Sequence, residues 1–279
     1  LTQRRTAVIE NPCYPALLEI LNQSRCHIHP VDVDEAGMVP NAIPENASVI
    51  FTTPSHQCPT NHTMPLARRQ SLLKRAADLD ALVVEDDYEF EIANATSPAP
   101  ALKSLDTDGR VIYVGSFSKS LFPGLRLGYL VGSAPFIREA RALRASVLRH
   151  PPGHIQRTAA YFLSLGYYDS QIKRMARTYE SRRATLLNAI EKYGLIIDGP
   201  APSGGSSVWM KAPGKVNTTD LAERLRNRSV LIEPGSPFFP SQLPSATHYR
   251  LAYSSIGQEH IDKGVSLIAE EISQSGLVS

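Results

Sequence analysis

The segment with the most chemistry in it is Val111-Ile-Tyr-Val-Gly-Ser-Phe-Ser-Lys-Ser-Leu-Phe-Pro-Gly-Leu-Arg-Leu-Gly-Tyr129. An apolar run ends at Gly115 and delivers Ser116, Ser118 and Lys119 within four residues, with Arg126 seven further on. A lysine at the mouth of an apolar sheet is costly to keep charged. Burial lowers its pKa and frees the neutral amine to form a Schiff base. Two hydroxyls and a guanidinium beside it are the donors a phosphate group needs. In isolation, a plain surface turn with a solvated lysine reads the same way. The glycine-lysine spacing of a P-loop is absent.

A second segment, Ala81-Leu-Val-Val-Glu-Asp-Asp-Tyr-Glu-Phe-Glu91, runs from a hydrophobic strand straight into Glu85, Asp86 and Asp87, then Tyr88. In an open α/β sheet, ligands sit at the carboxyl ends of the strands. A carboxylate there can bind a metal, accept from a ribose, or hold a protonated ring nitrogen. The cluster lacks histidine partners and EF-hand spacing, which turns the reading away from a metal. The two segments together say more than either alone. A carboxylate after one strand, and a lysine with phosphate donors after the next, is the constellation that pyridoxal phosphate needs. The acid keeps the pyridine nitrogen protonated, the lysine carries the aldehyde, and Ser and Arg hold the phosphate.

Those residues require a sheet to position them, and the pattern supplies one. Thr6–Glu10, His27–Val31, Ser48–Thr52, Ala81–Glu85, Val111–Gly115 and Leu127–Val131 read as strands, nearly continuous in apolar character, as in a sheet buried on both faces. Pro65–Leu79 reads as a helix whose Leu66, Leu72, Leu73, Ala76 and Leu79 form the inner face. Strands alternating with helices predict an α/β fold with a mainly parallel sheet. Helices are expected at Pro135–Arg149, His154–Leu165 and Ser170–Tyr193, the last ending at Gly194. A small α+β unit follows, with strands Val208–Lys211, Val230–Ile232 and Tyr249–Tyr253 and helices Thr218–Arg226 and Gln258–Ile272. Ser255 and Gln258 have the spacing of a capping box. The division drawn is a large domain over residues 1–170 and a small one over 171–279, joined through the long helix.

Composition sets the bounds. The chain has 279 residues, 29 Lys and Arg against 27 Asp and Glu, a formal net charge of +2, and 42% apolar residues. That excludes disorder along the whole chain. No run approaches the ~18–20 apolar residues of a membrane span. The near-neutral balance argues against nucleic-acid binding by this chain alone. Cys13, Cys26 and Cys58 form neither a disulfide framework nor a zinc ribbon and fit a reducing cytoplasm. The eight histidines complete no metal set. His56 is the one expected near the pocket. The basic face of the long helix, around Lys173, Arg174, Arg177, Arg182 and Arg183, reads first as a solvated face and second as a contact for DNA or an acidic partner.

From Glu10 to about Gly132 the chain resembles the large domain of fold-type-I pyridoxal-phosphate proteins, the aspartate aminotransferase superfamily, and more loosely so to its end. The resemblance implies roles residue by residue. Tyr14, in Glu10-Asn-Pro-Cys-Tyr14, stacks on the cofactor ring. Asp86 meets the pyridine nitrogen and Tyr88 the ring hydroxyl. Ser116, Ser118 and Arg126 bind the phosphate and Lys119 forms the Schiff base. Arg250, in His248-Tyr-Arg-Leu-Ala-Tyr253, grips the α-carboxylate of the ligand, and Gly204-Gly205 fits the small domain. Within the superfamily, Thr53-Pro-Ser-His-Gln-Cys-Pro-Thr-Asn-His-Thr-Met64, Arg68-Arg69, Glu85-Asp-Asp-Tyr88 and Ser116-Phe-Ser-Lys119 are close to the MocR-type regulators, in which a GntR-class winged helix is fused to an aminotransferase-like effector domain. Two positions depart from the superfamily pattern. Asn61 stands in a turn that usually carries Gly, and Cys58 stands where an asparagine-like donor is usual.

The function this implies is a pyridoxal-phosphate-binding sensor that takes an amino compound by exchange onto the cofactor. The alternative is an aminotransferase acting on an amino acid. DNA contact is expected only through a winged helix upstream of Leu1, where the family's phosphate loop also lies, so the chain is expected to be part of a longer polypeptide. A cytoplasmic homodimer without a membrane partner or metal completes the expectation.

Overall fold

The description rests on a computed structural model that covers residues 5–89, 99–199, 204–214, 216–240 and 247–276. Phe90 and Glu91 of the acidic segment lie outside it. The first strand is β1 (Thr6–Asn11), whose β-branched, almost fully buried residues fit a central position. Helix α1 (Pro15–Gln23), β2 (His27–Asp34), a short β3 (Gly37–Met38), β4 (Ala47–Thr52), α2 (Leu66–Asp78), β5 (Leu82–Asp87), a one-turn α3 (Leu102–Leu105), β6 (Val111–Ser116) and β7 (Gly128–Val131) follow. They form one seven-stranded sheet in the order β3-β2-β1-β4-β5-β6-β7. The run from β2 to β6 is parallel, while β3 and β7 are antiparallel edges. Val8, Ile50, Val83 and Val111 pack with Leu72, Ala76 and Leu102 on one side of the sheet, and Ala7, Ile9 and Leu21 pack on the other.

Helix α2 corrects its expected inner face. Leu66 is exposed, and the buried row is Arg69, Leu72 and Ala76. Arg69 is fully buried because its nitrogens are spoken for. Nε donates to Met64 O at 2.9 Å, Nη1 to Pro100 O at 3.2 Å and Nη2 to Pro54 O at 2.9 Å, with Glu85 at 3.6 Å. Hydrogen bonding of this completeness is what makes a buried guanidinium tolerable.

Helices α4 (Ala134–Val147), α5 (Gly153–Ser164) and α6 (Tyr167–Lys192) lead to the second sheet. Its elements are β8 (Ile196–Ile197), β9 (Ser207–Lys211), α7 (Thr218–Asn227), β10 (Glu233–Pro234), β11 (His248–Ala252) and α8 (Gln258–Gly276). The strand order is β10-β11-β9-β8, antiparallel throughout. Leu186, Ala189 and Ile190 of α6 join Met210, Leu221, Tyr249 and Ile268 in its core. Gly194 ends the α6 turn with φ +66°, a conformation costly for other residues.

Two local expectations change. The strand expected at Val230–Ile232 is extended coil, and pairing begins only at Glu233, opposite Arg250. Gln258 does not reach back to Ser255. It accepts from Ser181 Oγ at 2.8 Å and donates to Thr185 Oγ1 at 2.8 Å, tying α8 to α6. The basic face of α6 is also mixed, since Arg182 donates to the Ser254 carbonyl while Lys173, Arg174 and Arg177 are exposed. Among the described residues, no helix is long and apolar enough to cross a membrane.

Candidate functional site

In the sheet order the chain passes from β1 to β2 on one side and returns as β4 on the other. Such a reversal opens a crevice at the carboxyl ends of the strands. A cavity of about 590 Å³ lies there, with residues from around the second sheet along one side. Tyr14 reaches it from the loop after β1, Cys58 from the loop after β4, Asp86 and Tyr88 from the end of β5, and Ser116, Ser118, Lys119 and Arg126 from the β6–β7 connection. Arg250 enters from β11, with Glu233 and Phe238 beside it. One cavity thus gathers all eight residues singled out in the sequence.

Strand parity explains which carboxylate of the acidic run faces the cavity. Alternate residues of a strand point to opposite faces. Glu85 turns inward, where its carboxylate accepts from Leu102 N and Lys103 N, both at 2.8 Å. Asp87, on the same face, accepts from Ser55 Oγ and Tyr113 OH, both at 3.2 Å. Asp86 points the other way and lines the cavity. Burial, then the nearby Asp87 and Glu10 carboxylates, pushes its carboxyl up to about 6. It is a carboxylate that a positive partner would satisfy.

The β6–β7 connection begins where Ser118 N donates to Ser116 Oγ at 3.1 Å, a local turn that points both hydroxyls toward the same opening. Arg126 sits at φ +49° just before β7. Lys119 corrects the expectation of burial. Its side chain is 42% exposed at the cavity. What stands beside it is a carboxylate, Glu89 Oε1, 3.9 Å from Nζ.

Glu89 is a residue that sequence reasoning passed over. It is 1% exposed, accepts a hydrogen bond from Ser206 Oγ, and faces His56 Nε2 at 3.7 Å. Burial holds the His56 imidazole below its ordinary value, with Glu89 pulling the other way. Gly205 is required beside them, since it has φ +81° and a Cβ there would lie 2.4 Å from His56 Nε2. Glu10 was also passed over. Its buried carboxylate accepts from Thr52 Oγ1 at 2.6 Å, Thr53 Oγ1 at 2.7 Å and Gln57 Nε2 at 3.3 Å, fixing the loop that carries Cys58. Burial holds Glu10 above its ordinary value and pushes the Cys58 thiol up to about 12, so Cys58 meets the cavity as a neutral thiol. Tyr88 packs against Cys58, Trp209 and Phe238, and burial, with Cys58 and Glu89 nearby, keeps its phenol protonated. Asn61 takes φ +67°, the turn conformation that Gly usually supplies, and donates to Ser207 O at 3.1 Å. Among the described residues, no group of three or more His, Cys, Asp or Glu is arranged to hold a metal ion.

Residues 1–268 match the family model for aminotransferase class I and II. The chain belongs to that family. Among its aminotransferase-family relatives, it is similar to the HTH-type transcriptional regulator TauR of Rhodobacter capsulatus, with 54% identity over 266 residues that cover 95% of this chain and 55% of TauR. The chain therefore spans just over half the length of that relative. It is also similar to aromatic-amino-acid aminotransferase 1 of Thermococcus litoralis, 30% identical over 96% of this chain and 66% of that protein. The solved kynurenine aminotransferase of Pyrococcus horikoshii superposes with a TM-score of 0.91 at 29% identity, over 99% of this chain and 70% of that one. The fold is thus that of the fold-type-I aminotransferases, a mainly parallel sheet flanked by helices with a smaller sheet beside it.

Proposed function

We propose that this chain is the effector-sensing, pyridoxal-phosphate-binding domain of a MocR-type transcription regulator. The observation that carries the reading is the single cavity in which Lys119, Asp86, three phosphate donors and Arg250 meet, in a chain 54% identical to an HTH-type regulator. Pyridoxal phosphate is the cofactor of the family, and the P. horikoshii structure holds its amine form. The donor set fits it. Ser116, Ser118 and Arg126 suit a phosphate, and the desolvated Asp86 suits a protonated ring nitrogen.

In this reading Asp86 would hold the pyridine nitrogen protonated, and Tyr88 OH would serve as a donor to the ring hydroxyl. Tyr14, half exposed at the cavity rim, would cover one ring face. Cys58, a neutral thiol, is a weak donor to that hydroxyl, which suits sensing better than rapid turnover. Bound here, the cofactor supplies an aldehyde that captures primary amines and a ring that withdraws electrons. Lys119 Nζ would be the amine that holds it in the resting protein, and Arg250 would grip the acid group of the arriving amino compound. Residues 1–170 act as the large domain and 171–279 as the small one, which shifts on α6 when a ligand makes different contacts in the two positions. A DNA-binding segment elsewhere in the full-length protein reads that shift. The working form is a cytoplasmic homodimer.

The second reading, a working aminotransferase, is favoured by the 30% identity to the T. litoralis enzyme. One experiment separates the two. The cofactor-loaded chain is titrated with amino compounds under the spectrometer, then offered an oxo acid. The sensor reading predicts a spectral change with one compound and no turnover of the oxo acid. Sustained formation of a new amino acid would replace it with the enzyme reading.

A further inference from the structure

Arg250 meets the cavity already engaged. Its Nε donates to Ser207 Oγ at 2.8 Å and its Nη1 to Glu233 Oε2 at 2.9 Å. A guanidinium offers a carboxylate two edges, Nε with Nη2 or Nη1 with Nη2. Each edge has one member taken. An arriving acid group that is to make two parallel bonds competes with a resident acceptor for a nitrogen already engaged. Ser207 is neutral, whereas Glu233 brings a full charge.

Glu233 is held in this position by the fold. It stands directly opposite Arg250 in the β10–β11 pair. The arginine side chain is 11% exposed and that of Glu233 52%, so the carboxylate can leave while the guanidinium stays. Glu233 also lines the neighbouring cavity, whose wall carries Arg226, Arg228 and Lys263. A displaced carboxylate has this open cavity to turn into.

We infer that Glu233 is a specificity-determining residue, an internal carboxylate that competes with the acid group of the ligand for Arg250. The cavity then takes amino compounds whose single acid group displaces Glu233 and turns away those that bring a second negative charge beside it. This rests on the reading of the cavity as a cofactor site with Arg250 as its acid anchor.

The test uses three reduced adducts that carry the cofactor half with them: N-(5′-phosphopyridoxyl)glycine, the same adduct of ethanolamine, which lacks the acid, and the adduct of L-aspartate, which adds one. Dissociation constants are measured by calorimetry on the intact chain and on Glu233→Gln. Removing a like charge at a half-exposed site is expected to tighten the glycine adduct about tenfold and the aspartate adduct by more, leaving the ethanolamine adduct within about twofold. Equal changes across the three, or none, would overturn the competition. A glycine adduct no tighter than the ethanolamine adduct in Glu233→Gln would remove Arg250 as the acid anchor. Failure of all three to bind the unaltered chain would overturn the cofactor site itself. The unfolding midpoint of Glu233→Gln, expected to match that of the unaltered chain, shows that the variant is folded.

Discussion

Asp86 bears a desolvation cost at the cavity. Its carboxyl is raised to about 6 by burial and by Asp87 and Glu10, above its ordinary value of 3.8. A carboxyl raised in the folded state lends stability while protonated, and that stability is lost as pH rises through the folded value. The cofactor-free chain should therefore lose up to about 3 kcal/mol between roughly pH 4 and pH 7 on account of this group. Asp86→Asn removes the loss and, under the proposed function, also removes the partner of the ring nitrogen. Urea unfolding at pH 5 and pH 8 is expected to show the variant gaining on the unaltered chain at the higher pH, while its cofactor affinity falls. Parallel pH profiles would contradict the assignment of this strain to Asp86. The position of Asp86 was readable because a strand ends in an acidic run. Glu89 and His56 were not readable as a pair, since the partners that fix them, each other and Ser206, lie far apart in the chain.

The site depends on elements held by buried polar networks as much as by apolar packing. Arg69 anchors α2 against the Pro54 and Pro100 carbonyls and stands beside Glu85. Arg69→Met leaves Glu85 without its cation and removes three side-chain hydrogen bonds to carbonyls. A loss of about 3–5 kcal/mol is expected, or roughly 10 °C in unfolding midpoint for a chain of this size. A drop under 2 °C would show that the network is dispensable. Long, periodic elements such as β1, β5, β6 and α6 were legible because apolar repetition specifies them. The two-residue β3, β8 and β10 carry no periodicity. Val230–Ile232 has strand composition but no neighbour to pair with until Glu233. On α2, Leu72, Leu73, Ala76 and Leu79 reach the core as expected, while Leu66 is exposed and an arginine with extensive hydrogen bonding, Arg69, takes a core position that sequence patterning gives to leucine.

At the scale of the molecule, the two sheets meet in a seam. Cys58, Trp209 and Phe238 pack there, Cys13 N donates to Phe238 O at 2.8 Å, and Asn61 donates to Ser207 O at 3.1 Å. Ser206 on Glu89 adds a link beside Lys119, on the chain just before the second sheet's β9. Gly205→Ala is expected to strain this seam by about 1–3 kcal/mol, since both its φ of +81° and the contact with His56 resist a side chain. Trp209 is the one tryptophan of the chain and is 2% exposed, so its emission reports the seam. A shift to longer wavelength in the variant is expected, and unchanged emission with unchanged stability would show that the seam does not need glycine.

The central claim, that Lys119 holds pyridoxal phosphate in this cavity, has a direct measurement. The purified chain is mixed with pyridoxal phosphate, its visible spectrum recorded, and borohydride added before intact-mass analysis and peptide mapping. The account predicts a visible absorption band and one reduced adduct, on Lys119, that is absent from Lys119→Ala. An adduct spread over the surface lysines, or one undiminished in the variant, would contradict it.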